Sequence, residues 1–269
     1  MHILVALDGS SHADAVTAVA IQIAQAHDDC QLTALHIVNV RVASGNLLAD
    51  LSGHLGFEPA VVSAKIEAEH LANGRAIVGA FAKEARAAGL DVVEEVRAGA
   101  LPATLAEAAA DADLVIMGFR GETEDRWPGQ GGRLAANLPT EHTPVLLVPT
   151  GLRAIKTVVV GYDGSQGAML AVRATRAALI ALHPEIHGVF VGDDGTAVLD
   201  ELSQRIGHPV EHHVLTGNPH EVLLGLAKTM PADVVALGFS GHSKLKDFVF
   251  GTLGEEALLD GTTAVLLST

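Results

Sequence analysis

Near the C-terminal end of the chain, Gly238-Phe239-Ser240-Gly241 is followed, after nine residues, by Gly251-Thr252. Glycines at such positions let a backbone approach a ligand closely and adopt positive φ. If Gly251-Thr252 opens a helix, the N–H groups of its first turn face outward with the helix dipole behind them, an arrangement suited to an anion. Thr252 adds a hydroxyl donor. The nine intervening residues, His242 to Phe250, hold Lys244 and Lys246 against Asp247, a local balance of +1. Residue types and spacing together describe a cradle for a triphosphate.

A second set upstream keeps the spacing and loses the chemistry. Gly118, Gly121 and Gly131 are spaced as their counterparts, but Gly132 stands in the hydroxyl position. Its loop, Glu122 to Gln130, holds Glu122, Glu124 and Asp125 against Arg126, a balance of −2. One unit charge at about 8 Å contributes roughly 0.5 kcal/mol in water and more near a protein surface. A three-charge difference facing a polyphosphate therefore weakens binding, less so at high salt, and Arg133 offsets part of it. This first site is expected to bind nucleotide poorly or not at all.

The elements that must position these loops occur twice. Ile3-Leu4-Val5-Ala6-Leu7-Asp8-Gly9-Ser10 recurs as Val158-Val159-Val160-Gly161-Tyr162-Asp163-Gly164-Ser165. Asp113-Leu114-Val115-Ile116-Met117-Gly118 recurs as Asp233-Val234-Val235-Ala236-Leu237-Gly238, and Thr143–Val148 as Thr263–Ser268. Three similar segments in one order mark a tandem duplication, with domains expected at 1–150 and 155–269. From Asp8 to Gly118 is 110 residues and from Asp163 to Gly238 is 75, so the first copy carries 35 more. The Asn39–Pro59 stretch and the long helical pattern after it are the expected location.

Each copy alternates strand and helix. In the first, strands are expected at Ile3–Leu7, Leu32–Val38, Asp91–Arg97, Leu114–Met117 and Val145–Val148. Helices are expected after Ser10 or Ser11 as cap, around Val61–Ala88, at Leu101–Ala110 and near Arg133–Glu141. The second copy runs strand Val158–Gly161, helix Ser165–Leu182, strand Ile186–Val191, a helix near Ala197–Arg205 and strand Val210–Leu215. Helix Pro219–Lys228, strand Val234–Leu237, helix Thr252–Asp260 and strand Val265–Leu267 follow. Such alternation with right-handed crossovers makes an α/β, doubly wound parallel sheet.

Composition narrows the partners. Of 269 residues, 49% are apolar and 18% charged, as for a folded chain, and the net charge of −15 argues against a nucleic-acid backbone as partner. A lone Cys30 has no internal disulfide partner, which fits a reducing compartment. Met1–Asp8 reads as a strand, and no apolar run reaches about 18 residues, so neither a signal peptide nor a membrane span is expected. A cytoplasmic location is the expectation.

These segments resemble a tandem universal stress protein, over nearly the whole chain. The family's nucleotide signature, Gly-x2-Gly-x9-Gly-Ser/Thr, is matched at each position by Gly238, Gly241, Gly251 and Thr252. The resemblance implies two Rossmann-like, five-stranded parallel sheets of order 3-2-1-4-5, related by a pseudo-twofold axis. It implies that the fifth strands, apolar edges that need covering, meet each other. It further implies ATP, with or without Mg²⁺, on the second copy: Asp163 by the ribose or adenine edge and Val191 offering backbone bonds to adenine. The phosphates would lie on Gly238, Gly241, Gly251, Thr252 and Leu253. Family members commonly pair, so a homodimer of tandem chains is expected, with a protein partner left unidentified.

Plainer roles stand beside these. The glycines can shape turns without a ligand, and Asp8 and Asp163 can serve as turn or cap residues after a strand. Tyr162 and Phe239 read as packing residues before base-stacking ones. His208, His212 and His213 lie close in sequence, yet His212 and His213 on a strand point to opposite faces. No Cys-x2-Cys or His-Glu-x-x-His pattern accompanies them, so no metal ligand is assigned. His242 borders the phosphate loop, Trp127 sits in a Pro/Gly-rich loop, and Asp193-Asp194-Gly195 reads as a turn.

Catalytic motifs are few. The sequence lacks a P-loop, a Gly-x-Ser-x-Gly elbow and the Ser-Gly-Gly-x-Asp-Ser loop of the related pyrophosphatases. No paired carboxylates are evident to position Mg²⁺ and water. Three function classes stay open: an ATP-binding regulatory protein in stress adaptation, which is favoured; a slow Mg²⁺-dependent ATPase; and a nucleotide-free interaction or lipid-binding module. The last would use the extra segment with its Leu47, Leu48, Leu51 and Leu55 stripe, although folding back on its own domain is the favoured fate of such a stripe.

Overall fold

Runs such as Ile3-Leu4-Val5 and Val158-Val159-Val160 are buried to 1% exposure or less, as strands covered on both faces must be. The computed structural model describes residues 1–38, 59–119, 143–218, 222, 232–239 and 261–269, with the backbone alone for 59–67. Its first half contains β1 (His2–Ala6), α1 (Ala13–Gln25), β2 (Gln31–Val38), α2 (Pro59–Ala87), β3 (Val92–Ala98), α3 (Leu101–Ala109), β4 (Leu114–Gly118) and β5 (Val145–Val148). The second contains β6 (Thr157–Gly161), α4 (Gln166–Ala178), β7 (Glu185–Val191), α5 (Thr196–Ile206), β8 (Glu211–Leu215), β9 (Val234–Gly238) and β10 (Ala264–Ser268). The helices expected near Arg133–Glu141 and at Thr252–Asp260 lie outside the described residues. So do the 39–58 segment with its leucine stripe and all of the Pro219–Lys228 helix but Val222, which is helical.

Among the described residues ten strands form one sheet, in the order β3-β2-β1-β4-β5-β10-β9-β6-β7-β8. Each half therefore has the order 3-2-1-4-5, and the two join edge to edge. Within each half the pairs are parallel, while β5 and β10 pair antiparallel through Leu146↔Leu266. An antiparallel junction between like edges is what a twofold relation requires, since each edge strand sees its counterpart reversed. Alternation along the strands sends Ile3, Val5, Leu146, Val158, Val160 and Leu266 to one face, under α1, α2, α4 and α5. Leu4, Val115, Leu147, Val159 and Leu267 go to the other, with Leu105 and Ala109 of α3 packed on them. Among the described residues no helix is long and apolar enough to cross a membrane.

Two helix boundaries differ from the sequence expectation. Neither Ser10 nor Ser11 caps α1, because His12 stands at its N-cap and makes no side-chain cap bond. Ser10 is taken up by the preceding turn: its N–H donates to Asp8 Oδ1 (3.0 Å) and its Oγ accepts from His12 N–H (3.4 Å). In the second half Ser165 does cap α4, its Oγ accepting from Ala168 N–H at 3.1 Å. The expected helix to Leu182 stops at Ala178 and continues as a 3₁₀ turn, Ile180–Leu182, because His183 adopts a left-handed φ of 51° and Pro184 cannot extend a helix. The extra length of the first copy falls where expected: 53 residues separate Val38 from Val92, against 19 between Val191 and Glu211.

The halves are also tied behind the sheet. Gln22 on α1 donates from Nε2 to the carbonyl of Ile155 (3.0 Å) and accepts from its N–H (2.8 Å). Ile155 is 1% exposed, so both backbone groups lose their partner when Gln22 is removed. Gln22→Ala is expected to destabilise the protein by about 1–3 kcal/mol, read as a lowered denaturation midpoint; a midpoint unchanged from wild type would show that the clamp contributes nothing.

Candidate functional site

The carboxyl ends of β1, β2 and β4, and of β6, β7 and β9, lie side by side at the two points where strand order reverses, the usual position of a ligand in such sheets. Asp163, Val191 and Gly238 fall together at the second of these. Asp163 follows β6, Val191 ends β7 and Gly238 ends β9. Gly241, Gly251, Thr252 and Leu253 lie outside the described residues, as do Lys244, Lys246, His242 and Trp127.

The Asp-Gly-Ser turn is built alike in both halves. Asp163 Oδ1 accepts from Ser165 N–H at 2.9 Å, as Asp8 Oδ1 does from Ser10, and Gly164 and Gly9 both have φ of +77°. The turn role of these aspartates is thus present, and Asp163 remains exposed. The last β6–β7 pair is Gly161↔Val189, and the carbonyl of Val189 accepts from Tyr162 N–H at 2.9 Å. Alternate residues of a parallel strand address the same neighbour. Val191, two residues on, therefore presents its N–H and C=O to the β6 side, past the end of the pairing and beside the Asp163 turn. That is the backbone pair a planar heterocycle edge would use.

Gly238 has a structural reason of its own. A Cβ there would overlap the carbonyl oxygen of Gly167 and stand 2.6 Å from its carbon and 2.9 Å from Ala171 N. The loop after β9 thus starts hard against the first turn of α4. Tyr162 is 2% exposed, with its hydroxyl 3.2 Å from Met169 Sδ and its pKa pushed up by burial, so it packs rather than stacks. Phe239 also packs against the core. Asp193-Asp194-Gly195 leads into α5, and a Cβ on Gly195 would meet the Phe190 ring.

The first half differs at the same place. Gly9 sits under α2, where a Cβ would come 3.0 Å from Ile77 Cδ1, whereas no described residue lies within 4 Å of one on Gly164. His36 Nδ1 lies 2.8 Å from the carbonyl of Leu7, the counterpart of Tyr162, while the residue matching His36 is Phe190. Among the described residues a cleft of about 60 Å³ opens here, lined by Leu7, Asp8, Ile37, Leu101, Met117 and Gly118 among others. Pockets for drug-sized ligands span roughly 300–1,000 Å³, and the described part of this mostly apolar cleft falls below that range. It nevertheless lies in the half whose loop chemistry is the weaker.

The histidines hold a feature that the sequence did not reveal. His212 and His213 do point to opposite faces of β8: His212 Nε2 is 2.8 Å from Ser203 Oγ on α5, while His213 Nε2 is 3.0 Å from His187 Nδ1 on β7. His187 lies 26 residues before His213, and only strand pairing makes them neighbours.

Comparison with known proteins gives a consistent result. The model of the universal stress protein family matches residues 1–130 and 193–267. Universal stress protein Slr1230 of Synechocystis is 25% identical over 255 residues, covering 86% of this chain and 87% of its own. A universal stress protein structure from Archaeoglobus fulgidus superposes with a TM-score of 0.71 at 17% identity, covering all of this chain and 96% of that one. A protein of unknown function from Pseudomonas aeruginosa PAO1 does so with a TM-score of 0.56 at 14% identity, over 99% of this chain and 92% of its own.

Proposed function

The chain belongs to the universal stress protein family, and from that premise we propose that it is an ATP-binding regulatory protein whose nucleotide is held by the second of two domains, 1–150 and 155–269. The carrying observation is the difference between two otherwise equal turns. Among the described residues nothing covers the Asp163-Gly164 turn, with Val191's backbone beside it, whereas the Asp8-Gly9 turn lies under Ile77. The glycine–lysine loop that leaves Gly238 carries a local charge of +1 where its counterpart carries −2, and this favours the same side. ATP would take the ribose or adenine edge at Asp163 and Val191. Its phosphates would take the N–H groups at Gly241, Gly251, Thr252 and Leu253.

The test is the stoichiometry of ATP on purified protein, by calorimetry and by mass spectrometry of released small molecules. One ATP per chain is expected, abolished by Gly251→Val and weakened by paired Lys244→Glu and Lys246→Glu exchanges that keep the circular dichroism spectrum. Two per chain would refute the asymmetry, and binding unaffected by all three substitutions would refute the site. A Mg²⁺-dependent turnover lost in Thr252→Ala would instead favour the ATPase.

A further inference from the structure

We propose that His187, Glu211 and His213 form a binding site for a divalent first-row transition cation of the Zn²⁺ type, at the outer edge of the second half of the sheet. Strand register assembles it. His187 on β7 pairs with Glu211 on β8, and Val189 pairs with His213, so all three side chains leave the same face two residues apart. That face is opposite to α5, whose side is taken by His212 with Ser203 and Asp200.

One donor atom from each of the three residues lies within 4.8 Å of the other two, and each carboxylate oxygen of Glu211 faces one ring. His187 Nδ1 is 3.0 Å from His213 Nε2 and 3.6 Å from Glu211 Oε2, and His213 Nε2 is 3.7 Å from Glu211 Oε1. Ligands at about 2.0–2.1 Å from a tetrahedral Zn²⁺ stand about 3.3 Å apart. Side-chain movements of up to about 1.5 Å, mostly of the exposed Glu211, would bring all three onto one ion. Two imidazoles with one carboxylate suit Zn²⁺, Co²⁺, Ni²⁺ or Cu²⁺ and not Mg²⁺ or Ca²⁺, which prefer all-oxygen sets.

A plain polar cluster explains this arrangement less well. One ring N–H donates to the other ring, but the carboxylate stands beyond hydrogen-bond distance from both rings, set between them. A cation fills that gap. The imidazoles are also held in place, at 14% and 21% side-chain exposure, while Glu211 at 67% reaches in from solvent. Three protein ligands leave a coordination position open, and a bound ion would fasten the edge strand β8 to β7.

The test uses untagged full-length protein, stripped with a chelator, titrated with ZnCl2 without nucleotide. One saturable Zn²⁺ per chain is expected, weakened about 100-fold or more by His187→Ala and by His213→Ala. Saturating Zn²⁺ should raise Tm by roughly 5 °C in the wild type. Glu211→Gln, on an exposed side chain, should weaken binding without unfolding the chain, and His208→Ala and His212→Ala should bind as the wild type does. X-ray absorption should show two imidazole nitrogens with oxygen. Absence of a saturable site, undiminished binding in the folded Glu211→Gln protein, or loss through His212→Ala would overturn the assignment.

Discussion

Gly238→Ala is expected to cost about 3 kcal/mol or more, lowering Tm by roughly 6–12 °C for a chain of this size. The reason is the nature of the neighbours. The added Cβ meets the carbonyl of Gly167 and the amide nitrogen of Ala171, both backbone, so no side chain can rotate away. α4 cannot retreat cheaply either, because Ala168, Ala171 and Val172 are buried against the sheet and Ser165 anchors its start. Overpacking usually costs about 1–3 kcal/mol, and a backbone obstruction belongs at the upper end. Denaturant unfolding of the variant beside wild type measures it; a loss under about 1 kcal/mol would show that strand and helix separate easily. One consequence concerns the binding experiments. Weaker nucleotide binding in a Gly238 variant would report lost packing as much as lost contact, so Gly251 is the sharper probe of the loop.

Leu266→Ala is expected to cost about 2–5 kcal/mol, the range for a fully buried leucine, and to loosen both halves at once. Leu266 and its partner Leu146 are both 0% exposed at the antiparallel junction of β5 and β10. Val145, Leu147, Val265 and Leu267 fill the opposite face of the same two strands. The junction is therefore core on both sides, so either half alone would expose a long apolar edge. Hydrogen exchange separates the outcomes. The amides of β1 and of β6 should lose protection together in the variant. Loss confined to β6, in the half that carries Leu266, would mean that the halves are stable independently.

Much of the architecture was legible in the residues. Short uninterrupted apolar runs such as Leu114–Met117 and Val145–Val148, flanked by turn residues, fit strands covered on both faces, and their recurrence with Asp-Gly-Ser after the first strand pointed to two similar halves. Strand positions followed within a residue or so, because burial of both faces leaves little freedom in where such a run starts. Helix starts were less legible. Ser10 and Ser165 occupy equal places in similar segments, yet only Ser165 caps its helix, since in the first half a further turn precedes the N-cap His12.

By itself, the sequence determined the α/β class and the positions of the strands, because apolar periodicity and turn chemistry are local properties of the chain; the strand order came as what the family resemblance implies. Tertiary structure alone gave the register in which the two edge strands meet, antiparallel through Leu146 and Leu266. It alone showed that Gly238 is required by a helix backbone, that Ile77 covers the Asp8-Gly9 turn, and that His187 stands beside His213. Each of these depends on which residues far apart in the chain come within a few ångströms. Strand register and helix packing set that distance, and no spacing along a sequence records it.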